Sequence, residues 1–111
     1  MQVQINTDSS IEGREQLATE LRIVVEDTLS RFSDHITRVE VHLSDENRDK
    51  GGSDDKRCVM EAHLKGHPPI VVTDQAATVG QAVHGAASKL KKAIESSLGR
   101  LRDHQRIRTD A

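Results

Sequence analysis

The chain has 111 residues, of which 31% are charged, 34% are hydrophobic and one, Phe32, is aromatic; the formal net charge is −2. That length accommodates one compact domain with a two-layer core that needs neither disulfide nor metal. No apolar run exceeds Ile23-Val24-Val25, which excludes a membrane-spanning helix, and the missing aromatics exclude a module that stacks single-stranded bases on rings.

Residues 2–7 alternate, with Val3 and Ile5 opposite Gln2, Gln4 and Asn6, and predict a short strand. Met1–Ile5 has no basic start and no apolar stretch, so no signal peptide is expected. Ser9 and Glu12 have the spacing of a capping box. A helix over about 12–32 follows, because Leu17, Leu21, Val24, Val25, Thr28, Leu29 and Phe32 recur every three or four residues. Val39, Val41 and Leu43 alternate with Arg38, Glu40, His42 and Ser44, which predicts a strand over 36–44. Residues 45–55 are polar and acidic with two glycines, and read as the long tip of a hairpin.

Cys58, Met60, Ala62 and Leu64 share one side of a strand over 56–65, and Arg57, Val59, Glu61, His63 and Lys65 share the other. Gly66-His67-Pro68-Pro69 makes a turn. A fourth strand is read over 70–73, and Thr73 or Asp74 is the expected cap of a second helix over about 75–103. Val79, Val83, Ala86, Leu90, Ile94, Ser97, Leu98 and Leu101 form that helix's apolar stripe. Residues 1–104 are read as one domain and 105–111 as a flexible tail.

The order β-α-β-β-β-α, with one apolar face on every element, predicts an α+β two-layer domain. Both helices pack on one face of a four-stranded mixed sheet. A right-handed crossover makes strands one and two parallel, and hairpins make the remainder antiparallel. The opposite face carries Gln2, Gln4, Arg38, Glu40, His42, Arg57, Glu61, His63 and Lys65. It is either a contact surface or a solvated face with cross-strand pairs such as Arg38 with Glu61.

Parts for catalysis are missing. There is no nucleophile-elbow, Walker or dinucleotide fingerprint, and the loop carboxylates have no dry surroundings to raise their pKa. Cys58, the only cysteine, falls on the apolar side of its strand, the usual place of a small buried hydrophobe, and suits a reducing cytosol. The six histidines have no metal-ligand spacing; His42 and His63, as neighbours on the open face, would give two ligands at best. No catalytic residue, metal or cofactor is expected.

Charge is unevenly distributed. Residues 1–31 hold six acidic against three basic side chains, and residues 89–108 hold seven basic against two acidic. At about 100° per residue, Lys89 and Arg100 lie on one flank of the second helix's buried stripe, Lys91 and Arg102 on the other, and Lys92 points away from the sheet. Such cations can track phosphates without reading sequence, or simply complement the helix's own dipole.

The order of elements, the opening Met1-Gln2-Val3-Gln4-Ile5, the strand Ile36–Leu43 and the helix segment Ala82-Val83-His84-Gly85-Ala86-Ala87-Ser88-Lys89-Leu90-Lys91-Lys92-Ala93-Ile94 resemble the ribosome hibernation-promoting factors and ribosome-associated translation inhibitors. The likeness spans about 1–104 and is to a short form. It places the family's Lys on Lys89 and its Arg on Lys92, while two further basic positions of the family fall on Glu95 and Ser96. The resemblance implies a cytoplasmic factor that binds the RNA of the small ribosomal subunit in the channel used by messenger and transfer RNA. There it would inhibit translation and preserve idle ribosomes under stress. It implies RNA contacts from Lys89, Lys91, Lys92, Arg100 and Arg102, with Arg38 and Lys65 from the sheet. No DNA, membrane or small-molecule substrate is implied. Two other readings are a diverged protein–protein interaction module of the same fold, and a small enzyme or metal-dependent sensor using His42 and His63.

Overall fold

The computed structural model describes residues 1–7, 14–45 and 56–110, with side chains over 1–7, 17–45 and 56–99. β1 is Gln2–Thr7, α1 Arg14–Thr28, β2 Ile36–Asp45, β3 Lys56–Leu64, β4 Ile70–Ala76 and α2 Val79–Asp110, with a 3-10 turn at Ser30–Phe32. The sheet order is β1-β2-β3-β4. β1 runs parallel to β2, and the other two pairings are antiparallel. This is the expected α+β two-layer architecture. α1 packs over β1, and α2 over β3 and β4.

The strands form where apolar residues alternate, and their registers stack those residues into one face. Val3 lies beside Val39 and Ile5 beside Val41. Val41 opposes Met60, and Met60 in turn opposes Val72. Ile36 and Val39 are both buried although they lie three positions apart, an odd spacing that puts them on opposite faces of a regular strand. A bulge between Ile36 and Arg38 resolves this, because one extra residue turns Ile36 back to the core side. Thr37 Oγ1 donates to the His63 carbonyl at 2.9 Å beside the bulge. The two helices close the core with Leu21, Val25 and Leu29 from α1, and Ala82, Val83, Ala86, Ala87, Leu90 and Ile94 from α2. Three alanines on the inner face of α2 let its backbone approach the sheet closely. Each fully buried large side chain contributes about 1.5–3 kcal/mol of hydrophobic stabilisation.

β2 and β3 end within one residue of the sequence expectation, and larger differences fall at the end of α1, the end of β4 and both ends of α2. The first helix does not continue regularly to residue 32. Leu29 N–H still donates to the Val25 carbonyl, but Phe32 donates to Leu29 and Ser33 to Ser30, the i→i+3 pattern of a tightened last turn. Ser30 Oγ donates to the Asp27 carbonyl at 3.0 Å, meeting one of the acceptors a helix end leaves open. β4 continues past 73 to Ala76, which pairs with Lys56. Consequently neither Thr73 nor Asp74 caps α2. Thr78 does, its Oγ1 accepting from the Gln81 N–H at 3.1 Å. The backbone of α2 runs to Asp110, beyond the expected end near 103. The capping box read at Ser9 and Glu12 lies outside the described residues, as does the loop tip over 46–55.

Candidate nucleic-acid interface

α2 sorts the cations of its middle turns into different roles. Leu90 and Ile94 are buried against the sheet, so Lys92 is turned to solvent, and Lys91 emerges on a flank. Among the described residues neither lysine has an ion-pair partner. Lys89 differs. Its Nζ donates to Asp74 Oδ1 at 2.9 Å and to the Thr73 carbonyl at 2.9 Å. The β3–β4 register puts Asp74 opposite Cys58, which turns its side chain to the helix side of the edge strand. A Cβ built on Gly85, one turn before Lys89, would overlap the Asp74 carboxylate, so glycine there makes room for the pair. Lys89 remains about half exposed, which limits a pair of this kind to roughly 0.2–1 kcal/mol.

On its other flank α2 is tied by Glu95, 3.6 Å from Arg31 Nη1. The Arg31 guanidinium lies 5.5 Å from the Phe32 ring centroid, within cation–π range. Glu95 thus pairs with the 3-10 turn rather than with a neighbouring cation of α2.

The open sheet face carries a compact polar cluster. The hairpin register sets Glu40 directly opposite Glu61, and Arg38 opposite His63. The His63 Nε2 lies 2.8 Å from Glu61 Oε2 and 3.2 Å from Glu40 Oε2, and 3.3 Å from the Arg38 guanidinium. Arg38 pairs with Glu40 on its own strand at 3.5 Å. The expected pairing of Arg38 with Glu61 is therefore not made. Burial pushes the Glu40 carboxyl up, but hydrogen bonding from His63, the Arg38 charge and a hydrogen bond shared with Glu61 outweigh it and hold the group below the usual carboxylate range. His42 opposes Val59, four residues from His63 along the strand, so the two histidines are not cross-strand neighbours. Glu40, Glu61 and His63 instead bring three metal-ligating atoms within 4.8 Å of one another. Arg38 already supplies positive charge to that group.

Of the seven residues read as RNA contacts, Lys91, Lys92 and Lys65 have no ion-pair partner among the described residues, and two, Lys89 and Arg38, are occupied within the fold. Lys65 sits in the turn after β3, where its N–H donates to the His35 carbonyl at 3.0 Å and Gly66 adopts φ +66°. Arg100 and Arg102 belong to α2, but their side chains lie outside the described residues. Sequence reasoning missed Asp74 as the partner of Lys89. The sequence alone does not single out Gly85, since a Cβ at Gly80 or Gly99 of the same helix would meet nothing within 4 Å. Cys58 is buried; burial and then the Asp74 charge push its thiol up to about 12, which removes it as a nucleophile at neutral pH.

Residues 10–102 match the family model described as sigma 54 modulation protein / S30EA ribosomal protein. No curated protein matches the chain significantly. The fold is similar to that of a ribosomal subunit interface protein from Coxiella burnetii, with a TM-score of 0.64, 15% identity, and 89% of this chain and 99% of that one covered. It is also similar to the N-terminal domain of Protein Y from Thermus thermophilus, with a TM-score of 0.61, 18% identity, and 86% and 98% covered. At these identities the structural likeness establishes the shared fold.

Proposed function

The chain belongs to the sigma 54 modulation protein / S30EA ribosomal protein family, and from that membership we propose that it is a cytoplasmic, non-enzymatic ribosome-associated factor. It binds the RNA of the small subunit in the messenger and transfer RNA channel, inhibits translation there and preserves idle ribosomes under stress. The observation that carries the reading is the exposed side of α2, where Lys91 and Lys92 project with no intramolecular partner among the described residues. Two adjacent free ammonium groups on a rigid helix suit the recognition of phosphates on folded RNA by shape and charge. Lys65 and the arginines at 100 and 102 extend the same chemistry.

Co-sedimentation with purified 30S and 70S particles over a salt series tests this. Binding is expected at low salt and should weaken steeply as salt rises, because each phosphate contact releases counterions. Protein that stays in the supernatant at low salt overturns the proposal. The internal engagement of Arg38 and Lys89 favours, as a second reading, an interaction module of the same fold that recognises protein. Its sign would be an interaction that survives nuclease treatment.

A further inference from the structure

Lys89, Lys92 and Glu95 form one i, i+3, i+6 row on α2, with neighbours about 60° apart around the helix axis. Both ends of the row are tied. Lys89 bonds Asp74 and the Thr73 carbonyl of β4, and Glu95 pairs with Arg31 of the 3-10 turn. The middle residue, Lys92, is exposed between them with no ion-pair partner among the described residues. The tie at Lys89 is the more exacting of the two. It uses two 2.9 Å contacts, and it depends on Gly85, whose missing side chain leaves space for the Asp74 carboxylate.

We infer that Lys89 is a structural tie, bridging Asp74 and the Thr73 carbonyl across Gly85, and does not itself contact RNA phosphate, which leaves that contact to Lys92. This rests on the RNA-binding reading above. An ammonium already shared between a carboxylate and a carbonyl must give up both partners to meet a phosphate. Lys92 gives up only water.

Two measurements test this together. The first is a double-mutant cycle of Asp74→Asn and Lys89→Met in chemical unfolding, with Lys89→Arg as the conservative control. The second is the dependence of 30S affinity on potassium chloride for wild type, Lys89→Met, Gly85→Ala and Lys92→Ala. The cycle should show coupling between 74 and 89 that Lys89→Arg largely retains. Lys92→Ala should reduce the magnitude of the log–log salt slope by about 1, the signature of one lost phosphate contact. Lys89→Met should leave the slope unchanged. Gly85→Ala, which displaces the Asp74 carboxylate while conserving every charge, should steepen the slope as Lys89 becomes free to meet phosphate. A slope that flattens in Lys89→Met as it does in Lys92→Ala overturns the inference, and so does the absence of coupling between 74 and 89. If the wild-type protein binds no 30S subunits, the proposed function fails and the phosphate contact of Lys92 fails with it. The unfolding cycle then decides whether the bridge itself exists.

Discussion

Glu40 and Glu61 face each other across the β2–β3 ladder, and one imidazole nitrogen, Nε2 of His63, lies within 3.2 Å of both carboxylates. Like charges directly opposed in a sheet are destabilising, so this arrangement depends on the donors beside it. The Glu40 carboxyl is held below its ordinary value of 4.5 by His63, Arg38 and Glu61 against the opposing effect of burial. A depressed carboxylate stabilises the fold above its unfolded pKa, and that stabilisation is lost as pH falls through the folded value. The cluster should therefore contribute fully near neutrality and weaken only below about pH 4.5. A side-chain carboxyl titration by NMR should give Glu40 a midpoint below 4.5 in the wild type and a higher one in His63→Ala, where burial is left less opposed. A wild-type midpoint at or above 4.5 would contradict the account.

Thr78, and not Thr73 or Asp74, caps α2 by accepting from the N–H of Gln81 in its first turn. Thr78→Ala should cost about 1 kcal/mol, within the usual range of about 0.5–2 for a lost helix cap. Thr73→Val leaves that bond in place and retains a β-branched residue in β4, so it should have a much smaller effect. Urea unfolding of the two variants side by side distinguishes them. Equal losses would mean that the cap does not act as described.

These cases show where the sequence was legible and where it was not. Alternation at Val39, Val41 and Leu43, and at Cys58, Met60, Ala62 and Leu64, identified the buried face of the hairpin, because burial on one side of a strand imposes a period of two. The same alternation placed Arg38, Glu40, Glu61 and His63 on the other face but could not decide who meets whom. That depends on register, which a period of two does not specify and which here runs from Ile36 opposite Leu64 to Asp45 opposite Lys56. Ile36 broke the alternation, and only the bulge explains its burial. In the candidate interface, helical periodicity correctly turned Lys92 outward. It was silent about Lys89, whose partner arrives from a strand fifteen residues earlier in the chain.

Cys58 lies on the core side of β3 opposite Asp74. Its thiol, pushed up to about 12 first by burial and then by the Asp74 charge, carries almost no thiolate at pH 8. An aromatic disulfide reagent should not label the native protein over minutes, and should label one thiol per chain once denaturant unfolds it. Rapid labelling of the native protein at a rate unaffected by denaturant would place Cys58 outside the core.

Leu90 sits at the centre of the α2 stripe and is fully buried. Leu90→Ala should destabilise the fold by about 2–5 kcal/mol, the cost of lost burial plus the cavity left behind. Calorimetry should show a correspondingly large fall in Tm. A loss well under 1 kcal/mol would mean that α2 is not seated on the sheet through this residue.

Charge reversal two residues further along acts in the opposite way. Lys92→Glu changes an exposed side chain with no ion-pair partner among the described residues, so its effect on stability should stay within about 0.5 kcal/mol. Its effect on 30S binding should be large at low salt and shrink as salt rises, because what it adds is repulsion from phosphate. Lys89→Glu is not an equivalent substitution. It sets a new carboxylate against Asp74 and should lower stability as well as affinity. Circular dichroism melts and co-sedimentation of both variants separate the two effects. Unchanged 30S affinity in Lys92→Glu would show that this face of α2 does not meet the ribosome, and the contact would then have to be sought elsewhere on the domain.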